Sequence, residues 1–190
     1  MKNFTEYFSS LNFAISKLDH SALDKAYRIA NTCKTLYIFG NGGSAAIANH
    51  WVCDFAKGIN EDTCKNAAAI SLNSNVPLIS AIANDIGYEY IFSKQLEYAN
   101  LQQGDVVFAI SSSGNSKNII NGISKAKELG IYTVAFTGFS GGTAAAIADT
   151  NVHVPSHNYG IVEDVHMMIL HSISQQIRSA HALDLNTIRL

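Results

Sequence analysis

The sequence predicts an α/β fold with an open, doubly wound parallel sheet. Five short apolar segments alternate with helical segments, three of them run directly into glycine- or serine-rich turns, and their apolar character is continuous rather than alternating. Continuous apolar segments are typical of strands that are buried on both faces of a parallel sheet. In such sheets ligands bind at the carboxyl ends of the strands, where the topology switches.

The five strands are recognised by their β-branched and apolar residues. They are predicted at Leu36–Gly40, Ala67–Leu72, Val106–Ser111, Tyr132–Thr137 and Asn151–Pro155. The first strand runs into Gly-Asn-Gly-Gly-Ser, the third into Ser-Ser-Ser-Gly-Asn-Ser, and the fourth into another turn that contains glycine.

Helices are predicted before and between the strands. A hairpin of two helices, Thr5–Leu18 and Ser21–Thr32, comes first, and Ser21 is a suitable N-cap for the second helix. The helices of the α/β core are predicted at Ser44–Lys57, Val76–Ala83, Tyr88–Ala99, Ser116–Leu129, Gly141–Ala148 and Ile161–Ser179.

The chain length suits one domain, which we expect to span residues 1–190. The helical hairpin occupies 1–33 and the α/β core occupies 34–190. The first helix carries Phe4, Tyr7 and Phe8. An aromatic stripe on a first helix needs a partner, so we expect the hairpin to form oligomer contacts.

The composition limits the classes of partner. Charged residues make up 15% of the 190 residues and the formal net charge is −2, which argues against a nucleic-acid partner. Short neutral residues are abundant instead, with 19 serines, 17 asparagines and 13 glycines. No apolar run reaches the roughly 20 residues of a membrane helix, and the N-terminal segment lacks the apolar core of a secretory signal. Three cysteines without a CxxC pair fit a reducing compartment, so we expect a cytoplasmic protein without membrane contact.

Two of the turns have the composition of a phosphate-binding site. The glycines at 40–44 allow a ligand to approach the backbone, and the helix that follows offers free N–H groups and the positive end of its dipole. At 111–116 four serine hydroxyls surround one glycine. Neither loop contains Lys or Arg, but neutral donors at a helix N-terminus suffice for a phosphate ester. One such loop is often only a helix cap, whereas two at the ends of parallel strands predict an anion site.

The first loop also matches the loose dinucleotide-binding pattern GxGxxA. That pattern requires an acidic residue near the end of the second strand, where this chain has Leu72, Asn73, Ser74 and Asn75. A Walker phosphate loop is excluded because the chain contains no GK[ST] sequence. We therefore expect no nucleotide cofactor.

Six features of the chain resemble the sugar isomerase (SIS) domain family and, within it, the phosphoheptose isomerases. They are GNGGS at 40–44, His50, AIANDIGYEYIFSKQ at 81–95, ISSSGNSKNII at 110–120, TGFSGG at 137–142 and VEDVHMMILH at 162–171. They come in the family's order, and the resemblance covers essentially the whole chain. It implies the SIS fold, a five-stranded parallel sheet flanked by helices, in a homotetramer whose active sites lie between subunits.

The resemblance also implies an activity. The expected reaction converts sedoheptulose 7-phosphate to D-glycero-D-manno-heptose 7-phosphate through an enediol, and it supplies heptose for bacterial lipopolysaccharide or capsule. Two alternatives stay open: a protein that binds a phosphosugar or a replication initiator without turnover, and an isomerase of another phosphosugar.

Proton transfer between two carbons needs groups such as a carboxylate and a histidine. In the family these are a Glu of the first core helix and the last His of the C-terminal helix, which correspond to Asp54 and His171. Asp54 is one methylene shorter than the family's Glu, and Glu163 stands where the family usually has Gln. Either carboxylate could take the proton from carbon, so the candidate catalytic residues are His171, Asp54 and Glu163.

Zinc-binding members of the family imply a metal site at His50, Asp54, Glu163 and His171. His50 and Asp54 are four residues apart, so they lie on one helical face and can share an ion. Glu163 and His171 are eight residues apart, about 12 Å along a helix. They meet at one ion only if their side chains reach inward or Glu163 precedes the regular helix. Cys53 is an alternative ligand.

The resemblance places the substrate-binding residues in the two loops and in the ANDIG segment. They are Asn41, Gly42, Gly43, Ser44, Asp85, Ser111, Ser112, Ser113 and Ser116. The four serines of the second loop would hold the phosphate, while Asn41 and Ser44 would reach the sugar or the phosphate. Gly58 and Gly160 replace polar residues of the family, which leaves the exact phosphosugar open.

Overall fold

The structure, a computed structural model, describes residues 3–183 and contains a five-stranded parallel sheet with the order β2-β1-β3-β4-β5. The strands are β1 (Thr35–Gly40), β2 (Ala68–Ser71), β3 (Val106–Ser111), β4 (Tyr132–Thr137) and β5 (Thr150–His153). The order reverses between β1 and β3, which makes the sheet doubly wound and confirms the predicted fold class. Residues 1–2 and 184–190 of the predicted domain lie outside the described part.

The helices connect these strands nearly as predicted. They are α1 (Phe4–Ser16), α2 (His20–Thr32), α3 (Gly43–Cys53), α4 (Ile59–Asp62), α5 (Val76–Asp85), α6 (Ile91–Tyr98), α7 (Lys117–Glu128), α8 (Gly142–Ile147) and α9 (Tyr159–His181). A π-helical turn over Asp54–Gly58 joins α3 to α4, and a 3₁₀ turn over Tyr88–Tyr90 precedes α6.

Most helix starts differ from the prediction by one to three residues, and the starts of α2 and α9 show the reason. The N-cap of α2 is Asp19, whose side chain accepts a hydrogen bond from the Ser21 N–H at 2.8 Å, so Ser21 lies inside the helix. Likewise α9 begins at Tyr159 rather than Ile161, because the Asn158 side chain caps it by accepting from the Ile161 N–H at 3.1 Å. Both caps are Asx side chains, which satisfy the N–H groups of a first helical turn.

The sheet has an apolar layer on each face. Side chains alternate between faces along a strand, so Phe108 and Phe136 pack under α2, α3 and α9, while Phe39 and Val107 pack under α6 and α7. The central strands β1, β3 and β4 are buried almost throughout, as predicted. The edge strand β2 is not, and its Ile70 is largely exposed because an edge strand has a neighbour on one side only. No described helix combines the length and the hydropathy needed to cross a bilayer.

Candidate active site

The loops after β1 and β3 meet because these two strands are neighbours at the switch point of the sheet. They enclose a cavity of about 280 Å³. Its lining includes all of the predicted loop residues: Asn41, Gly42, Gly43, Ser44, Ser111, Ser112, Ser113 and Ser116. We call this set the cradle. Asp85 is not part of it, because it ends α5 on the surface, where it accepts a hydrogen bond from the side chain of Asn84.

The cradle offers neutral donors. Gly42 has a left-handed backbone (φ 54°), and α3 begins at the next residue, so its N-terminus faces the cavity. Ser116 precedes α7, but its hydroxyl makes no capping hydrogen bond. The buried Ser112 hydroxyl has no hydrogen-bond partner within the described chain. A buried hydroxyl without a partner is costly, and an oxygen of a bound ligand would satisfy it.

The two halves of the cradle are joined by a reciprocal amide pair. The Asn41 amide donates to Asn118 Oδ1 at 2.9 Å, and the Asn118 amide donates to Asn41 Oδ1 at 2.8 Å. Asn118 is buried in the first turn of α7. A similar pair holds the end of β1, where the Asn73 side chain bonds both the N–H and the carbonyl of Gly40. Asn118 is not among the site residues predicted from the sequence, although its place two residues after the serine loop is a usable signal.

Glu163 also lines the cradle cavity. Its carboxylate lies against Gly43, where a Cβ atom on residue 43 would clash with all three carboxylate atoms. The carboxylate therefore stands at the N-terminus of α3, where the helix dipole favours negative charge. No Lys or Arg is among the described residues that line this cavity, so Glu163 carries its only formal charge.

A second cluster forms further along the same two helices. His50 Nε2 lies 3.0 Å from His171 Nε2, and Asp54 Oδ2 lies 3.3 Å from the first and 3.2 Å from the second. We call these three residues the His–Asp cluster. His50 is seven residues after Gly43 on α3, and His171 is eight residues after Glu163 on α9. The cluster thus lies about 11–12 Å along the helices from the cradle.

Trp51 fixes the distance between the two histidines. Its fully buried indole donates to the Leu170 carbonyl at 2.8 Å and to Ser174 Oγ at 2.7 Å, which ties α3 to α9. His50 precedes Trp51 and His171 follows Leu170 along the chain. The buried Trp51 side chain therefore helps to set the geometry of the cluster.

The cluster contains three of the four predicted metal ligands. The ligand atoms of His50, Asp54 and His171 lie within 4.8 Å of one another, and nitrogen and oxygen donors of this kind suit zinc. Glu163 is not in the group, because it lies inside the regular helix α9 and its carboxylate contacts Gly43 instead. Cys53, the alternative ligand, is exposed and does not join the group either.

Tyr7 links the N-terminal hairpin to the helix that carries Glu163. Its hydroxyl donates to Asp164 Oδ2 at 2.5 Å. This hydrogen bond raises the pKa of Tyr7 to about 12, together with burial and the negative charge of Asp164. A Cβ atom on Gly160 would lie 3.1 Å from the same hydroxyl, so the glycine gives the tyrosine room.

Comparison with known proteins identifies the class of protein. The sequence profile of the SIS domain matches residues 3–138. The chain therefore belongs to the SIS domain family, which confirms the resemblance found in the sequence.

Relatives within that family include phosphoheptose isomerases. A probable phosphoheptose isomerase of Thermoplasma acidophilum is 43% identical over 167 residues, which cover 88% of this chain and 90% of that protein. A phosphoheptose isomerase of Mycobacterium tuberculosis is 37% identical over 145 residues, 76% of this chain and 73% of that protein. The structure of a phosphoheptose isomerase from Neisseria gonorrhoeae matches with a TM-score of 0.84 at 30% identity, covering 93% of this chain and 95% of the other.

Proposed function

We propose that this protein is a phosphoheptose isomerase that converts sedoheptulose 7-phosphate to D-glycero-D-manno-heptose 7-phosphate. The observation that carries the proposal is the arrangement of cradle and His–Asp cluster along two parallel helices. The cradle suits a phosphate ester because neutral serine donors and the N-terminus of α7 border the cavity. The cluster suits proton transfer because a carboxylate contacts two imidazoles.

The separation of the two sites matches the chemistry of the substrate. The phosphate is on the last carbon of the seven-carbon chain, and the reacting carbonyl and hydroxyl are at its other end. With the phosphate in the cradle, the reacting carbons point away from Ser112 and towards groups such as Asp54 and His171. These groups lie about 11–12 Å from the cradle along α3 and α9.

Asp54 is the carboxylate better placed for the carbon proton. Its Oδ2 faces both histidines, which leaves the other oxygen to accept the proton. With no ion bound between the histidines, His171 can then move a proton between the two substrate oxygens. Glu163 borders the phosphate end instead, where a carboxylate can bind a hydroxyl of the sugar. A Gln at this position in related enzymes fits such a binding role, because Gln also bonds hydroxyls but takes no proton.

Zinc is the proposed cofactor, held by His50, Asp54 and His171. When bound there, it would supply a Lewis acid that polarises the substrate carbonyl. The donor set fits zinc, and the π-helical turn that begins at Asp54 follows directly on α3, which carries His50. Single π turns inside helices are frequent at functional sites.

The cellular setting follows from the same proposal. We propose a cytoplasmic homotetramer with active sites between subunits, which supplies heptose for lipopolysaccharide or capsule. The exposed aromatic side chains of Phe4 and Phe8, four residues apart on α1, support an oligomer, since isolated proteins rarely expose such a patch.

Incubation of the protein with sedoheptulose 7-phosphate tests the activity. Appearance of the aldose phosphate, followed by NMR, is the expected result. Loss of turnover with a chelator and its recovery with zinc would support the metal assignment. A protein that binds the sugar phosphate but forms no aldose, with or without zinc, would be the phosphosugar-binding alternative. Turnover of a different sugar phosphate only would overturn the heptose assignment.

A further inference from the structure

Tyr159 is the one aromatic side chain among the described residues that line the cradle cavity. It is the first residue of α9 and lies four residues before Glu163, so both side chains occupy one face of the helix. Its side chain remains 59% exposed. Tyr159 therefore presents an open aromatic surface at the edge of the cradle.

The ring of Tyr159 is supported from behind. It packs on Phe139, with ring centroids 4.7 Å apart at an interplanar angle of 56°, and Phe139 in turn contacts the ring of His157 edge-on. Phe139 has a left-handed backbone (φ 51°), and its N–H donates to the Ser156 carbonyl at 2.8 Å. This conformation is uncommon for a bulky residue, and such residues cluster at ligand sites. The unusual backbone places the Phe139 ring where it holds Tyr159 in position.

The remaining lining explains what this surface can contact. The cradle consists of Gly, Ser and Asn residues, whose short polar groups bind oxygen atoms. Ile110 also borders the cavity, but its side chain is completely buried. Tyr159 is thus the wall that can meet the C–H groups of a ligand, as aromatic side chains do in small-molecule sites.

We propose that Tyr159 is a specificity-determining residue whose ring packs against the carbon chain next to the bound phosphate. It thereby favours a phosphate that is carried on a sugar chain over inorganic phosphate. This inference rests on the proposed function, because it assumes that the phosphate of the sugar binds in the cradle.

Calorimetric titration of the full-length protein tests the inference with two ligands, sedoheptulose 7-phosphate and inorganic phosphate. Y159A should bind the sugar phosphate about tenfold more weakly than the wild type does, roughly the effect of one lost apolar contact in a pocket. The affinity of Y159A for inorganic phosphate should stay within twofold of the wild-type value, and this result would also show that the cradle is folded. Y159F should match the wild type for both ligands. The control is Y98A, because Tyr98 is equally exposed at the end of α6 and does not line the cavity.

Kinetics provide the second readout. Y159A should raise KM about tenfold with kcat within threefold of the wild type, and Y159F should leave both unchanged. The inference is overturned if Y159A binds the sugar phosphate as tightly as the wild type does, or if it binds both ligands more weakly by the same factor. It is also overturned if Y159F loses as much affinity for the sugar phosphate as Y159A does. A wild type that shows this Tyr159-dependent binding without turnover would overturn the isomerase proposal alone.

Discussion

Glu163 and Gly43 lie in direct contact where α9 packs against the N-terminus of α3, and the contact is possible only because residue 43 has no side chain. A glycine in a phosphate-binding loop is usually explained by close approach of the ligand. Here the glycine also admits a carboxylate of the same protein. The arrangement places a negative charge at one end of the proposed phosphate site, so we expect the phosphate to bind on the serine side of the cavity.

Gly43→Ala should destabilise the protein, because the new methyl group meets the Glu163 carboxylate. We expect a loss of about 1–3 kcal/mol in the free energy of unfolding, the usual cost of overpacking. The measurement is a double-mutant cycle by denaturant unfolding, in which G43A is also made in the E163A background. There its cost should fall to nearly zero, since the opposing group is gone. An equal cost in both backgrounds would contradict the contact. Gly58→Ala is the control, because a Cβ atom there meets nothing within 4 Å.

Asn118→Leu should weaken ligand binding although Asn118 does not line the cradle. The change removes both hydrogen bonds to Asn41 and leaves the Asn41 amide without these partners. We expect about 1–3 kcal/mol of destabilisation and a KM increase of about tenfold, since the two loops are no longer held together. The measurement combines denaturant unfolding with steady-state kinetics.

Asn121→Leu is the matched control for that experiment. Asn121 lies in the same helix, and its amide donates to the Glu89 carbonyl at 2.9 Å, away from the cradle. Asn121→Leu should therefore lower the free energy of unfolding but leave KM unchanged. If both variants raised KM equally, the amide pair would have no special role in positioning the loops.

The sequence predicts the framework of the fold well and its local exceptions poorly. The bounds of β3 and β4 agree with the prediction because each is a buried apolar segment that ends in a turn. The loops meet as expected because parallel strands end at one edge of the sheet. In contrast, the π-helical turn at Asp54 and the contact between Glu163 and Gly43 depend on how α9 packs against α3. Residue spacing within one helix carries no information about such contacts.

Asp54→Asn and Glu163→Gln should have unequal effects on turnover. Asp54→Asn removes the carboxylate that contacts both His50 and His171, so kcat should fall at least a hundredfold. Glu163→Gln keeps a hydrogen-bonding group at the cradle, so kcat should change less than tenfold. The measurement is the initial rate of aldose formation at saturating substrate. If Glu163→Gln lowered kcat more than Asp54→Asn did, Glu163 would be the carbon base. If both variants lowered kcat only a few fold, a carboxylate base would be excluded.

His166 should make the stability of the protein depend on pH. It is completely buried, and its Nε2–H donates to the Thr137 carbonyl at 3.1 Å. Burial lowers the pKa of His166 to about 4, although the hydrogen bond to Thr137 acts in the opposite direction. The unfolded chain binds this proton near pH 6.5 and the folded chain does not. Stability is therefore lost as the pH falls from about 6.5 to about 4.

The comparison of wild type with His166→Gln isolates this contribution, since Gln keeps an N–H donor but does not titrate. H166Q should be less stable than the wild type at pH 7.5, because the buried site is shaped for an imidazole. Between pH 7.5 and pH 5 the wild type should lose about 2 kcal/mol more than the variant, the value that one shifted histidine gives over this range. Urea unfolding at the two pH values measures the difference. An equal loss in both proteins would mean that His166 takes up its proton in the folded state as readily as in the unfolded state.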